Sequence, residues 1–454
     1  MWNAAVALQR LGAPPQHPAS VRPPSRMALV ALFVCALLPR LWVADGGDRH
    51  RALSATALRS LCTSAPEPSA RRLFDGHEGA VGRALAGCGL DDAGPAFWPG
   101  QRALWWGVGA LARAVAPPGQ ELGAVAGLWL PLCAGALTVP ALAVAVGRRR
   151  GRAAGLRAGL LLAVLPVHVA WSTSTAPVVL PVALLIGAVA TRRVGLALLL
   201  AVLAASMRAE LGLAAVLWLG VPGLPAAVLG AALLLGGAPD WGGHPLDALA
   251  MNAAAAPLML PAGAALMLVA AAAIGAGSRR RLFLLCVLPL PFFDFGLRHW
   301  MLPLVLACGE AGRLRPALAL ALGLSCAAAL PGLGARWLRD PPAPLQLGLP
   351  RAPPAACVEI SDEPPIEGQP HPSFAGVWRA GCAALRPVPA CLVWAEGPEH
   401  RRWQSRGLDD RAAKMRALFA LEPVAMQQGG PGPWRLWHRL HARDGAPLDA
   451  CKAR

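Results

Sequence analysis

The residues able to do chemistry in this chain are few and unevenly placed. Asp45 and Asp48 stand in LPRLWVADGGDRH, directly after an apolar run, and a carboxylate there could act as general base on an acceptor hydroxyl. Asp75, His77 and Glu78 in LFDGHEGA carry donor types that could bind a divalent cation, though the plainer reading is a polar loop turn; no other cofactor is expected. Asp91 and Asp92 precede GPAFWPGQ, where they face the same cavity or cap the helix that follows. Arg208 with Glu210, Asp294, and Arg298 with His299 all fall at the ends of apolar runs. Charges near membrane depth are costly and turn toward a cavity or a partner, and an arginine fork matches phosphate oxygens. His438 and His441 in WHRLH diverge on a strand, which argues against a metal between them.

The elements that must position these groups follow from composition. The chain has 454 residues, 56% hydrophobic and only 15% charged, against about 25% charged in soluble domains. The mean hydropathy is +0.48. The net charge of +17 is almost all arginine, falls in short loops between apolar runs, and with the alanine excess reads as the mark of a GC-rich genome. Nucleic-acid binding needs a basic face on a soluble domain, and none is evident. No P-loop, GxSxG, HExxH or Rossmann fingerprint is present, which excludes nucleotide-driven transport within the chain and the common hydrolase classes.

Polarity follows from Arg148 to Pro177: a basic loop, an apolar run from Leu156 to Trp171, and a polar turn. Cytoplasmic loops collect arginine, so the segment 148–157 is expected inside and 172–175 outside. Residues 1–26 read as a cytoplasmic tail, with Met27 a second candidate start. Apolar runs at 27–44, 122–146, 156–171, 178–190, 194–207, 211–220, 226–237, 253–274, 282–297, 301–309 and 316–332 give about eleven spans. The outer loop 45–100 leads into an interfacial helix at 101–116. The expected fold class is therefore an all-α polytopic membrane protein with its transmembrane domain at 27–338.

Beyond it, 339–354 is a Pro-rich linker and 355–454 a small soluble α/β domain. CLVWAE (391–396) reads as a strand, 408–421 as a helix, and EPVAMQQ and WRLWHRL as strands. An odd number of spans puts this domain outside. Cys62 and Cys88, then Cys357, Cys382, Cys391 and Cys451, fall in the outer segments in even numbers, as a disulfide-permitting compartment favours. Their pairing stays open.

The order of these features resembles the GT-C membrane glycosyltransferases that use polyprenyl-phosphate-linked sugars, the protein-mannosyltransferase and aminoarabinose-transferase-like group. The resemblance rests on PAFWPG before an interfacial helix, LLLAVLPVHVAWSTSTAPVVLPVALL (160–185), LLLAVLAASMRAEL (198–211) and RHWMLPLVLA (298–307), and covers about 27–333. It implies a bacterial inner-membrane enzyme with cytoplasmic N-terminus, moving a sugar to a glycan, lipid or protein acceptor with inversion. It also implies Asp48, or Asp45, as base, and Arg298 with His299 and Arg208 at the donor phosphate. This sequence has Asp45-Gly-Gly-Asp48 where the family carries an Asp-Glu pair, and no tyrosine at all. Three rivals remain at this level: a lipid or solute carrier, a scaffold, and a member of the family without activity.

Overall fold

The computed structural model describes residues 23–45, 85, 99–115, 122–173, 178–235, 260–274, 300–333, 348–360, 390–397, 411–427 and 435–442. The chain divides into a helical unit, Met1–Leu338, and a second unit, Arg339–Arg454.

In the helical unit, α1 spans Arg26–Asp45, α2 Pro99–Val115 and α3 Leu122–Arg150. α4 (Arg152–Ala163) and α5 (Pro166–Ser172) follow, then α6 (Val179–Ala190) and α7 (Val194–Met207). α8 (Glu210–Leu219) turns through Val221–Gly223 into α9 (Leu224–Leu235). α10 (Ala262–Ile274), α11 (Met301–Ala311) and α12 (Pro316–Leu333) complete it.

Helix length corrects the expectation of about eleven spans. Crossing a bilayer takes about 20 helical residues, or 30 Å. Among the described residues only Arg26–Val43 and Trp129–Arg150 are long and apolar enough; a third crossing needs α4 and α5, bent by 61°, to count as one. The other apolar helices have 10–17 residues. The reason is local. Pro166 has no N–H to give the turn before it, so the 156–171 run breaks after Ala163. Gly220, at φ 68°, stops α8 after 10 residues. Hydropathy reads such stretches as continuous because it does not see where the backbone turns. The run 282–297 lies outside the described residues.

α1 and α7 turn large apolar residues outward. On α1 the exposed stripe is Val30, Val34, Leu38 and Trp42, at four-residue spacing, while Arg40 on the opposite face is fully buried. On α7, Leu196, Leu199 and Leu203 face outward and Ala197, Ala201, Ala204 and Ala205 face the neighbouring helices. Small residues inward let backbones approach. A Cβ on Gly155 would stand 2.9 Å from the Gly147 Cα, and one on Gly212 3.0 Å from the Ala226 carbonyl carbon.

One end of this unit gathers the arginines. Arg150 bonds Glu310 at 2.6 Å and Arg157 donates to the Gly312 carbonyl at 2.9 Å, tying α3 and α4 to the end of α11. Arg148 donates to the Ala190 carbonyl at the end of α6. Pro24, ahead of α1, packs beside Gly147. Segments 148–157, 190–193 and 309–315 are thereby brought together.

The second unit is a four-stranded sheet of order β1-β2-β4-β3 with one described helix. β1 is Val358–Ile360, β2 Leu392–Glu396, α13 Arg411–Leu418, β3 Phe419–Gln427 and β4 Arg435–Ala442. β1 runs parallel to β2; β4 is antiparallel to both β2 and β3. Trp394, Leu440, Met415 and Phe419 pack on one face, Val393, Ala425 and Trp437 on the other. The expected helix at 408–421 gives way to strand at Phe419, because Phe419 and Leu421 pack toward Trp394 and Leu440 across the sheet. The register shifts between Pro423 and Ala425, where proline has no N–H for the ladder.

Candidate functional site

Two polar groups lie deep in the helical unit. The first is built on Arg40. Pro39, just before it in α1, removes the N–H that would reach the Cys35 carbonyl. Arg40 Nη1 donates to the Ala36 carbonyl and, at 3.2 Å, to the Ala163 carbonyl. Ala163 is the last residue of α4, so the guanidinium caps a carbonyl that the α4–α5 bend leaves without a helical partner. Nε donates to Ser172 Oγ at 3.1 Å, and Nη2 meets His168 Nδ1. Ser172 in turn donates to the His168 carbonyl. Gly135 of α3 makes the space: a Cβ there would stand 2.7 Å from Ser172 Cβ and 3.2 Å from Arg40 Nε.

Arg40 and His168 are both wholly buried. Because Arg40 donates to Nδ1, the His168 ring carries its proton on Nε2, and that atom has no hydrogen-bond partner among the described residues. No carboxylate pairs with Arg40 among the described residues. An arginine fork serving several helix segments is thus the bundle's central polar contact.

The second group lies where α7 gives way to α8. Arg208, almost buried, pairs with Glu210, and the backbone at Arg208 is extended, which breaks the helix there. The N-terminus of α2 packs against this break, since a Cβ on Gly100 would stand 2.8 Å from the Ser206 carbonyl carbon. Gln101 beside it is buried, with its amide nitrogen unpartnered among the described residues. Arg40 lies 14 residues along α1 from Arg26, and Arg208 14 residues beyond Val194. At 1.5 Å per residue each stands about 20 Å along its own helix from that helix's first residue.

Of the residues singled out by sequence, Arg208 and Glu210 are brought together. Asp45 ends α1, five residues past Arg40. Asp48, Asp75, His77, Glu78, Asp91, Asp92, Asp294, Arg298 and His299 lie outside the described residues. Among the described residues no group of three metal-ligating side chains assembles. Arg40, His168 and Ser172 were missed. The available signal was an arginine in the middle of an apolar helix, where it must face a partner.

In the second unit Cys357 and Cys391 form a disulfide, just ahead of the paired β1 and β2. Cys62, Cys88, Cys382 and Cys451 lie outside the described residues. His438 and His441 do diverge. His438 is buried against Glu396 at 3.0 Å and stacks on Trp394, whereas His441 pairs with Glu422 at the surface. Compared with protein-family models, with curated proteins and with solved structures, the chain matches none of them.

Proposed function

We propose that the helical unit is embedded in a bilayer and transfers a sugar from a polyprenyl-phosphate donor to an acceptor hydroxyl. The observation that carries the membrane part is the stripe Val30, Val34, Leu38 and Trp42 facing outward while Arg40 faces in. Water would impose the reverse arrangement, since a buried charge and an exposed apolar stripe both cost free energy in it. The arginine-rich end then lies at the cytoplasmic surface of a bacterial inner membrane.

The transfer reading rests on the almost buried Arg208 at a helix break, together with the acidic segment that follows α1 in the sequence. In it, Asp48 or Asp45 takes the proton of the acceptor hydroxyl. The oxygen attacks the anomeric carbon from the face opposite the phosphate, and the anomeric C–O bond breaks with inversion. The electron pair leaves on the polyprenyl phosphate, whose charge Arg208, Arg298 and His299 offset. A glycan, lipid or protein supplies the hydroxyl. Transfer of labelled sugar in proteoliposomes tests this: Asp48→Asn or Asp45→Asn is expected to lower the rate by about a hundredfold or more. Wild-type rates in both variants would remove the base from the mechanism.

One observation favours a second reading, a lipid or solute carrier. The 61° bend between α4 and α5 places a broken helix beside a buried cation, an arrangement that transporters use to hold substrate. Binding and passage of a polyprenyl-phosphate sugar without release of the free lipid phosphate would select it.

A further inference from the structure

A shallow apolar groove of about 350 Å³ runs between α1, α3 and α6. Leu29, Leu137, Val144, Ala183, Gly187 and Ala190 are among its lining residues, and Thr138, its one hydroxyl, turns its proton to the Ala134 carbonyl. From Leu137 to Val144 and from Ala183 to Ala190 the groove follows two helical turns, about 10 Å. An extended acyl chain can lie along that length. Its far end is Ala190, and there the charge changes.

Arg148 reaches the Ala190 carbonyl with Nη1, while its Nε is shut away from solvent without an acceptor among the described residues. Arg192 lies close enough to act on the Arg148 charge. Nearby, Arg150 and Arg313 share Glu310, and Arg157 caps the Gly312 carbonyl. Among the described residues, no carboxylate pairs with Arg148. The end of the groove thus carries positive charge with no paired carboxylate among the described residues, and its floor is apolar.

We propose that this groove binds an anionic phospholipid of the arginine-side leaflet, one acyl chain along α3 and α6 and the phosphate at Arg148 and Arg192. The shape excludes a compact solute, because nothing along the floor would bond its polar groups. The charge selects a phosphate with net negative charge over a zwitterionic headgroup. The site rests on the membrane placement proposed above and is independent of sugar transfer.

The test uses the full chain in detergent, with lipid retention read by native mass spectrometry against dioleoyl phosphatidylglycerol and dioleoyl phosphatidylcholine. Wild type is expected to retain phosphatidylglycerol preferentially. Arg148→Gln is expected to lower that preference by about fivefold, the worth of one arginine at an anionic surface. Ala183→Leu, which fills the groove and leaves the charge, is expected to lower retention of both lipids. Equal retention of the two lipids by wild type would overturn the site. So would an unchanged preference in Arg148→Gln, or displacement of phosphatidylglycerol by millimolar inorganic phosphate, which would mark a free-anion site. Sugar transfer measured on the same preparation reports separately on the activity proposed above.

Discussion

At the scale of single residues, Arg40 shows how a charge is kept inside an apolar bundle. Its fork reaches two backbone carbonyls, a hydroxyl and an imidazole, so the cost of burial is spread over four acceptors on three helices. Lysine keeps the charge but offers fewer donors and no fork. Arg40→Lys is therefore expected to strand one or two of these acceptors and cost about 2 kcal/mol, read as a lower Tm in detergent. His168→Ala removes the acceptor of Nη2 and is expected to act in the same direction. A Tm unchanged by Arg40→Lys would show that the fork is not what holds the α4–α5 bend.

At the scale of elements, contact distance decides more than hydropathy. α8 and α9 form a hairpin of two short helices, and each brings glycine to the other's backbone: Gly212 lies against Ala226, and Gly230 against Gly212. No side-chain movement makes room for a Cβ at Gly212, because the obstructing atoms are backbone. Gly212→Val is expected to destabilise by about 3 kcal/mol and to make the hairpin the first site of limited proteolysis. Intact resistance would mean that the hairpin does not pack this way. The same elements show what could be read in advance. The starts and ends of α2, α6, α7, α8 and α12 were legible to within two residues, because Pro, Gly and Arg punctuate them in the sequence. The bend after Ala163 was not legible, since an apolar run with one proline has the same composition whether it kinks or breaks. The Arg40 contact was hidden for another reason: three of its four partners lie more than 120 residues away in the chain. Arg208 and Glu210 were legible because two charges at the end of an apolar run have few other reasons to be there.

At the scale of the whole molecule, the proposed orientation makes two chemical demands. Arginines gathered at one end of the helical unit are what a cytoplasmic surface selects. In the second unit the Cys357–Cys391 bond closes a separation of 34 residues, which by chain entropy stabilises by about 4 kcal/mol. A domain of that size has only about 5–10 kcal/mol in total, so a reducing compartment would remove a large share of it. The two requirements are met together if the arginine-rich end faces the cytoplasm and the second unit faces outward. An impermeant thiol reagent on intact cells tests this with one reporter cysteine in each place. Arg416→Cys, on the exposed side of α13, is expected to label at once. Arg149→Cys, in the last turn of α3, is expected to label only after the membrane is opened. The reverse pattern would invert the orientation, and the base proposed at Asp48 would then face the cytoplasm, on the wrong side for the transfer. Equal labelling of both before permeabilisation would place the helical unit outside the bilayer, and the outward stripe of α1 would then be an interface with another protein.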